Sequence, residues 1–320
     1  MRSCQIERST RVLRFLCNSI ALRWFLACCI LPGNERTIGK QDQMTTTVGF
    51  VGLGRMGKPI AANILAAGFD LMVFDVREEP MRELAQLGAN PARGLRELGE
   101  HAEIIGVAVV NDSQVEEVVM SDAGLLQSDR RDSIIMIHST IMPGTVRKLA
   151  QAGQGKGVRV VDAPVSGGEA GARERQLCYM VGGEKDVFEK CHPVLAASAA
   201  DVFHMGELGN GATAKMILQV VVCINMLGAY EAELLANKCG LDFKSLQEVL
   251  GVSSGQSFVV DHWLDRFKRP DDPLPVRRRR TEVFYESLVP ALRLAKDFDV
   301  AIPGATLAQQ LLRRMMGVDE

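Results

Sequence analysis

The sequence predicts an α/β protein: a doubly wound parallel sheet followed by an all-helical C-terminal region. Three observations predict it. A glycine-rich turn separates an apolar run from a helical pattern, short apolar runs alternate with helical segments as far as Met205, and that alternation stops after Gly206. The glycine turn organises the rest. Residues 47 to 59 read TVGFVGLGRMGKP, so a strand-like run with Val48, Phe50 and Val51 breaks into Gly52, Leu53, Gly54, Arg55, Met56 and Gly57, and a helical pattern follows from Pro59. In a strand-turn-helix unit, Gly52 permits the tight turn, Gly54 lets backbone approach a pyrophosphate, and Gly57 lets the helix pack closely on the strand. The free N–H groups of the first helical turn then face the phosphates. Pro59 lies in that turn, where its missing N–H is harmless.

A second strand candidate, residues 71 to 74, ends in Asp75, 18 residues after Gly57. An acid at this spacing accepts hydrogen bonds from the adenosine ribose of a dinucleotide; the other reading is a cap for the next helix. Its carboxylate would repel a 2′-phosphate, so NAD is expected rather than NADP, with Arg77 partly offsetting the repulsion. Residues 104 to 110, 134 to 137 and 158 to 161 are further apolar runs of the length of buried parallel strands. Helical patterns begin near Pro59, Glu79, Gln114 and Pro143. This is the Rossmann-type arrangement, with ligand at the carboxyl ends of the strands. Short elements at 178 to 181 and 201 to 204 are expected to extend the sheet.

From Gly209 onward, Ala214, Ile217, Val221, Ile224 and Leu227 recur at helical spacing, with Gly240 as a stop. Helical stretches follow at 242 to 250, 258 to 267, 283 to 298 and 305 to 316, with Pro290 implying a kink or a late start in the third. The expected division is a dinucleotide-binding domain over 44–206 and an all-helical substrate and dimerisation domain over 207–320, joined by the long helix.

A chain of 320 residues with 47% hydrophobic and 24% charged content can bury a large core. A net charge of -2 and a pI near 6.3 give no electrostatic reason to bind nucleic acid or an anionic membrane. The basic run from Arg277 to Arg280 follows a proline-rich stretch and carries no aromatics, which reads as a solvated loop. Cys178, Cys191, Cys223 and Cys239 lack metal-ligand or redox spacing, as do the five histidines, so no metal site is expected and the body reads as a reduced, cytoplasmic-type protein. Residues 1 to 43 are rich in arginine and poor in acids, with an apolar stretch broken by Arg23. A mitochondrial transit peptide, a short signal anchor and an extension upstream of a true start at Met44 all fit, and the position of Met44 just before the first strand favours the last.

Three motifs resemble those of the β-hydroxyacid dehydrogenase family: GFVGLGRMGKPIAANIL from Gly49, DAPVSGGEAGA from Asp162 and GNGATAKMILQ from Gly209. The resemblance spans Thr46 to about Leu312 in the family's order. It implies that Ser166, Gly167 and Gly168 hold a substrate carboxylate, which suits consecutive backbone N–H groups beside a hydroxyl. It implies that Lys215 is the catalytic residue. A hydride leaves a carbinol carbon only as the hydroxyl proton is accepted, and an amine does this near neutral pH once burial lowers its pKa. Ser139 and Thr140, in HSTIMPGT, and Val110 and Asn111, in VNDS, correspond to segments flanking the nicotinamide. A homodimer or homotetramer built through the helical domains is also implied.

Two positions depart from the family. Gln219 stands where Asn is usual, on the same helical face as Lys215, and would still help orient the substrate with a longer reach. Glu286, Ser287 and Leu288 stand where Lys-Asp-Leu is usual, which exchanges a positive for a negative charge. The expected activity is hydride transfer between NAD and a small β-hydroxy carboxylic acid, 3-hydroxyisobutyrate-like or tartronate semialdehyde-like. The alternatives are a catalytically impaired member acting as scaffold or sensor, and an imine reductase, against which Lys215 argues.

Overall fold

In the computed structural model, which describes residues 46–319, the chain enters at β1 (Thr47–Val51). The stretch 1–43 read above as a leader or extension lies outside the described residues. β1 is joined by β2 (Asp70–Phe74), β3 (Asn90–Pro91), β4 (Ile104–Val107), β5 (Ile134–Ile137) and β6 (Arg159–Asp162) in one sheet of order β3-β2-β1-β4-β5-β6. Every pairing is parallel. Five helices follow the strands: α1 (Gly57–Ala66), α2 (Glu78–Gln86), α3 (Leu95–His101), α4 (Asp112–Met120) and α5 (Pro143–Gln154). They cover both faces, which is why β4 and β5 can be buried throughout and read as unbroken apolar runs. One face packs Val48, Phe50, Ile60, Ile64, Leu71 and Val73, the other Val51, Leu98, Ile105, Val107, Val115 and Val146. The strand order reverses between β1 and β4, so the ligand crevice of such a sheet lies beyond Val51 and Val107.

The expected extension of this sheet does not occur. Val165–Ser166 (β7), Leu177–Val181 (β8) and Ala199–His204 (β9) form a separate three-stranded sheet, joined to β6 by the single bridge between Asp162 and Gly182. Pro164 cannot donate to a ladder, so the chain turns there, and β8 pairs antiparallel with β7. Helices α6 (Gly168–Arg173) and α7 (Lys185–Ala196) link the three strands.

His138, at the end of β5, stacks on Phe50 at 5.6 Å and meets Tyr179 edge-on, so it ties the two sheets together. Its Nδ1 bonds the Ala163 carbonyl at 3.0 Å, and its Nε2 is buried without a partner among the described residues. Burial pulls its pKa from 6.5 down to about 4. The folded state therefore binds fewer protons than the unfolded one between these values. Its stability is complete above the unfolded pKa and falls as the pH drops toward the folded one. Urea unfolding should lose about 2 kcal/mol between about pH 8 and pH 5 through this residue, and His138→Leu should remove that component.

After β9 comes α8 (Asn210–Lys238), a 29-residue helix entered from Gly209 and ended by Gly240 in the left-handed region, as expected. It packs against α11 (Leu274–Asp297) and α12 (Pro303–Met315), with α9 (Phe243–Gly251) and α10 (Phe258–Asp261) against its second half. By length and composition α8 could cross a membrane, yet its inner face carries Lys215, Gln219 and Glu233, all buried, as suits a core helix. One expectation on α11 fails. Residues 277–280 are helical, because Leu274 and Pro275 occupy the first turn, where proline is well accommodated. Arg277 bonds the carbonyls of Asp272 and Gly317, and Arg280 pairs with Asp272, so these two anchor the helix. Of the two alternatives for Pro290, the late start is excluded, since the helix begins at Leu274 and runs through it.

Candidate functional site

At the end of β1, Gly52 has φ +88°, and a Cβ there would lie 2.4 Å from the Ala108 carbonyl oxygen. A Cβ on Gly57 would lie 1.8 Å from the Gly52 carbonyl, so α1 begins in direct contact with the turn. Gly54 faces open space within 4 Å. Met56 caps α1 without a side-chain bond, and the first turn holds no acid. Leu53 is buried, and its N–H donates to Asp75 Oδ2 at 2.7 Å. Burial pushes the Asp75 carboxyl up, but the Arg77 side chain, the Arg77 N–H and the Leu53 N–H outweigh it and hold the carboxyl below its ordinary value. An open cradle over a helix start and a buried acid at the tip of β2 fit a dinucleotide.

Across the crevice, the Asn111 side chain accepts the Gln114 N–H at 3.0 Å, while Gln114 Oε1 accepts the Val110 N–H at 3.0 Å. This reciprocal cap fixes the segment beyond β4. The Ser139 hydroxyl donates to the Val109 carbonyl at 2.7 Å and accepts its N–H at 2.9 Å. Ser139 thus braces this wall through backbone, and Thr140 beside it is half-buried. Arg55 leaves the glycine turn and pairs with Glu169 on α6 at 2.7 Å.

Ser166 ends β7 opposite Cys178 on β8. Gly167 and Gly168 follow with φ of +131° and +64°, values that side chains resist, and Gly168 looks onto open space. Lys215, in the second turn of α8, is buried and forms no ion pair among the described residues. Burial brings its pKa from 10.5 down to about 8, opposed by the Cys178 thiol, and α8 packs against β8, the strand that pairs with Ser166. One turn on, Gln219 Nε2 donates to Ser287 Oγ at 2.7 Å, and Ser287 in turn donates to the Phe284 carbonyl. Two of the departures are therefore bonded to each other, with Glu286 exposed alongside.

Sequence reasoning missed Asp162. Its buried carboxylate accepts the Gly209 N–H at 2.8 Å and the Ala212 N–H at 2.6 Å, and so holds the start of α8 against β6. Burial pushes its carboxyl up, against the pull of these N–H groups. A Cβ on Gly182 would lie 2.5 Å from this carboxylate, and one on Gly211 would lie 2.3 Å from the Met180 carbonyl and 2.9 Å from the same carboxylate. The available signal was an acid at a strand end and Gly-x-Gly at a helix start, 47 residues apart.

Residues 47–206 match the model of the NAD binding domain of 6-phosphogluconate dehydrogenase, and residues 209–319 match that described as NAD-binding of NADP-dependent 3-hydroxyisobutyrate dehydrogenase. The 2-(hydroxymethyl)glutarate dehydrogenase of Eubacterium barkeri is 33% identical over 85% of this chain and 90% of its own. The chain belongs to the β-hydroxyacid dehydrogenase family. Another family member, the 3-hydroxyisobutyrate dehydrogenase of Pseudomonas aeruginosa, is 38% identical over 68% of this chain and 72% of its own. The crystal structure of 3-hydroxyisobutyrate dehydrogenase from Salmonella typhimurium superposes with a TM-score of 0.72 at 27% identity, covering 84% of this chain and 93% of that one. As a β-hydroxyacid dehydrogenase, the protein is an NAD(P)-dependent oxidoreductase with a Rossmann-type sheet and a helical C-terminal region.

Proposed function

We propose that the protein interconverts a small β-hydroxy carboxylic acid and the corresponding semialdehyde or keto acid, with NAD as the preferred cofactor. The observation that supports this reading is a buried lysine that forms no ion pair among the described residues, on the helix that packs against the strand paired with Ser166. Bound cofactor supplies the hydride acceptor. Ser166, Gly167 and Gly168 receive the substrate carboxylate, the neutral amine of Lys215 takes the hydroxyl proton in oxidation, and the ammonium returns it in reduction. Gln219, steadied by Ser287, orients the substrate. Residues 52–57 cradle the pyrophosphate, while Val110, Asn111, Ser139 and Thr140 wall the nicotinamide side.

A panel of β-hydroxy acids assayed with NAD, and of semialdehydes with NADH, tests the reading. Turnover of at least one pair is expected; cofactor binding with no turnover across the panel would sink it in favour of a scaffold. Cofactor preference rests on Asp75. Asp75→Ala should weaken the preference for NAD over NADP about tenfold or more, since a hydrogen bond to a charged group contributes ~1.5–3 kcal/mol. Arg77→Ala should raise the KM for NADP more than that for NAD.

The division into a cofactor domain over 44–206 and a helical domain over 207–320 belongs to the same proposal. So does a homodimer or homotetramer through α8, whose outer face exposes Ile217, Val221 and Ile224 by 58%, 50% and 41%. Four free thiols in the described residues support a reducing, cytoplasmic setting.

A further inference from the structure

Between α10 and α11 lies a π-helical turn, Trp263–Lys268. Its N–H bonds reach five residues back, from Phe267 to His262 and from Arg269 to Leu264. Such turns are uncommon and recur at functional sites. This one is clamped to α8. Trp263 is fully buried, its indole N–H donates to Glu233 Oε2 at 2.7 Å, and Lys268 bonds the other Glu233 oxygen at 2.5 Å.

The clamp presents Arg266 outward. Its guanidinium lies over the Phe258 ring, 5.2 Å from the centroid, and donates to the Gly167 carbonyl. No carboxylate pairs with it among the described residues. The aromatic face fixes the plane of the fork. One N–H is engaged by Gly167, and the remaining donors face solvent beside the loop that receives the substrate carboxylate.

We propose that Arg266 binds a second carboxylate, at the end of the substrate remote from the hydroxyl, so that the preferred substrates are β-hydroxy dicarboxylic acids. This rests on the function proposed above. On that reading the Ser166–Gly168 loop holds the near carboxylate with backbone N–H groups, and the Arg266 guanidinium, bonded to the Gly167 carbonyl, stands beside that loop from the helical side. A planar fork held rigidly and lacking an anion is suited to bidentate carboxylate recognition.

Calorimetric titration of the enzyme–NADH complex with two unreactive acids, glutarate and butyrate, tests the assignment. Wild type should bind glutarate about tenfold more tightly than butyrate or better, equivalent to ~1.4 kcal/mol. Arg266→Ala should remove that difference while changing butyrate affinity less than about twofold, and Arg266→Lys should restore part of it. Equal affinity of wild type for both acids, or equal loss of both in Arg266→Ala, overturns the proposal and leaves Arg266 as a tie to Gly167. The two readings fail separately. Turnover of monocarboxylic acids with no preference for dicarboxylic ones removes only the role of Arg266, whereas discrimination by Arg266 without turnover of either class removes only the proposed reaction.

Discussion

Lys215→Ala is expected to lower turnover about 10³-fold while cofactor affinity changes little, because positioned proton transfer contributes ~10²–10⁴. Stopped-flow oxidation of the best substrate, with cofactor affinity read from nicotinamide fluorescence, measures both. The wild-type pH profile carries the same information. Burial sets the Lys215 pKa at about 8, and only the neutral amine accepts a proton. Oxidation should therefore rise with pH and level off above that value, while reduction should decline across it; the alanine variant should show neither dependence. Stability should rise with pH as oxidation does, but over a higher range. The folded pKa lies below the ordinary 10.5, so the folded state carries a penalty, complete below about pH 8, that is relieved as the pH rises toward the unfolded value. Lys215→Met should thus be more stable than wild type near neutral pH, by a few kcal/mol at most. A lysine retained for stability would give the reverse, which would refute its assigned role.

The second large effect is expected at Asp162. Removing its carboxylate leaves the Gly209 and Ala212 N–H groups buried without acceptors. At ~1.5–3 kcal/mol for each charge-assisted bond, Asp162→Ala should cost about 3–6 kcal/mol of stability in chemical denaturation. The start of α8 is then free to shift, and proton transfer tolerates little displacement. Turnover should fall further than substrate affinity, even where the variant is assayed well below its unfolding temperature. Unchanged stability together with unchanged turnover would show that α8 is held in place by packing alone.

The half of the site that depends on local backbone was legible in the sequence. Gly52, Gly54, Gly57 and Asp75 are specified by steric and hydrogen-bonding needs that act within one strand-turn-helix-strand unit, and the spacing of those residues preserves them. Lys215 and the Ser166–Gly168 loop became legible through resemblance, since a lysine in a helix and a pair of glycines after a strand have ordinary structural uses. The rest depends on contacts between distant segments. Asp162 acts on N–H groups 47 and 50 residues away, and Arg266 meets a carbonyl 99 residues away. The separate sheet of β7, β8 and β9 was missed because apolar alternation does not say which strand is a partner. Pro164 was the available clue. The arginines at 277 and 280 were misread for a related reason: proline content suggested a loop, whereas proline at a helix start pre-shapes it.

Helix α8 carries Lys215 and Gln219 inward and Ile217, Val221 and Ile224 outward. Lys215 and Ile217 are two residues apart, ~3 Å along the helix axis, and point to nearly opposite faces. In the proposed assembly, chemistry and self-association would share one rigid strut, and whatever seats against its flank would also set the pitch of the amine. Dilution that dissociates the proposed assembly should then quench catalysis before any strand melts, which would make specific activity a gauge of subunit association.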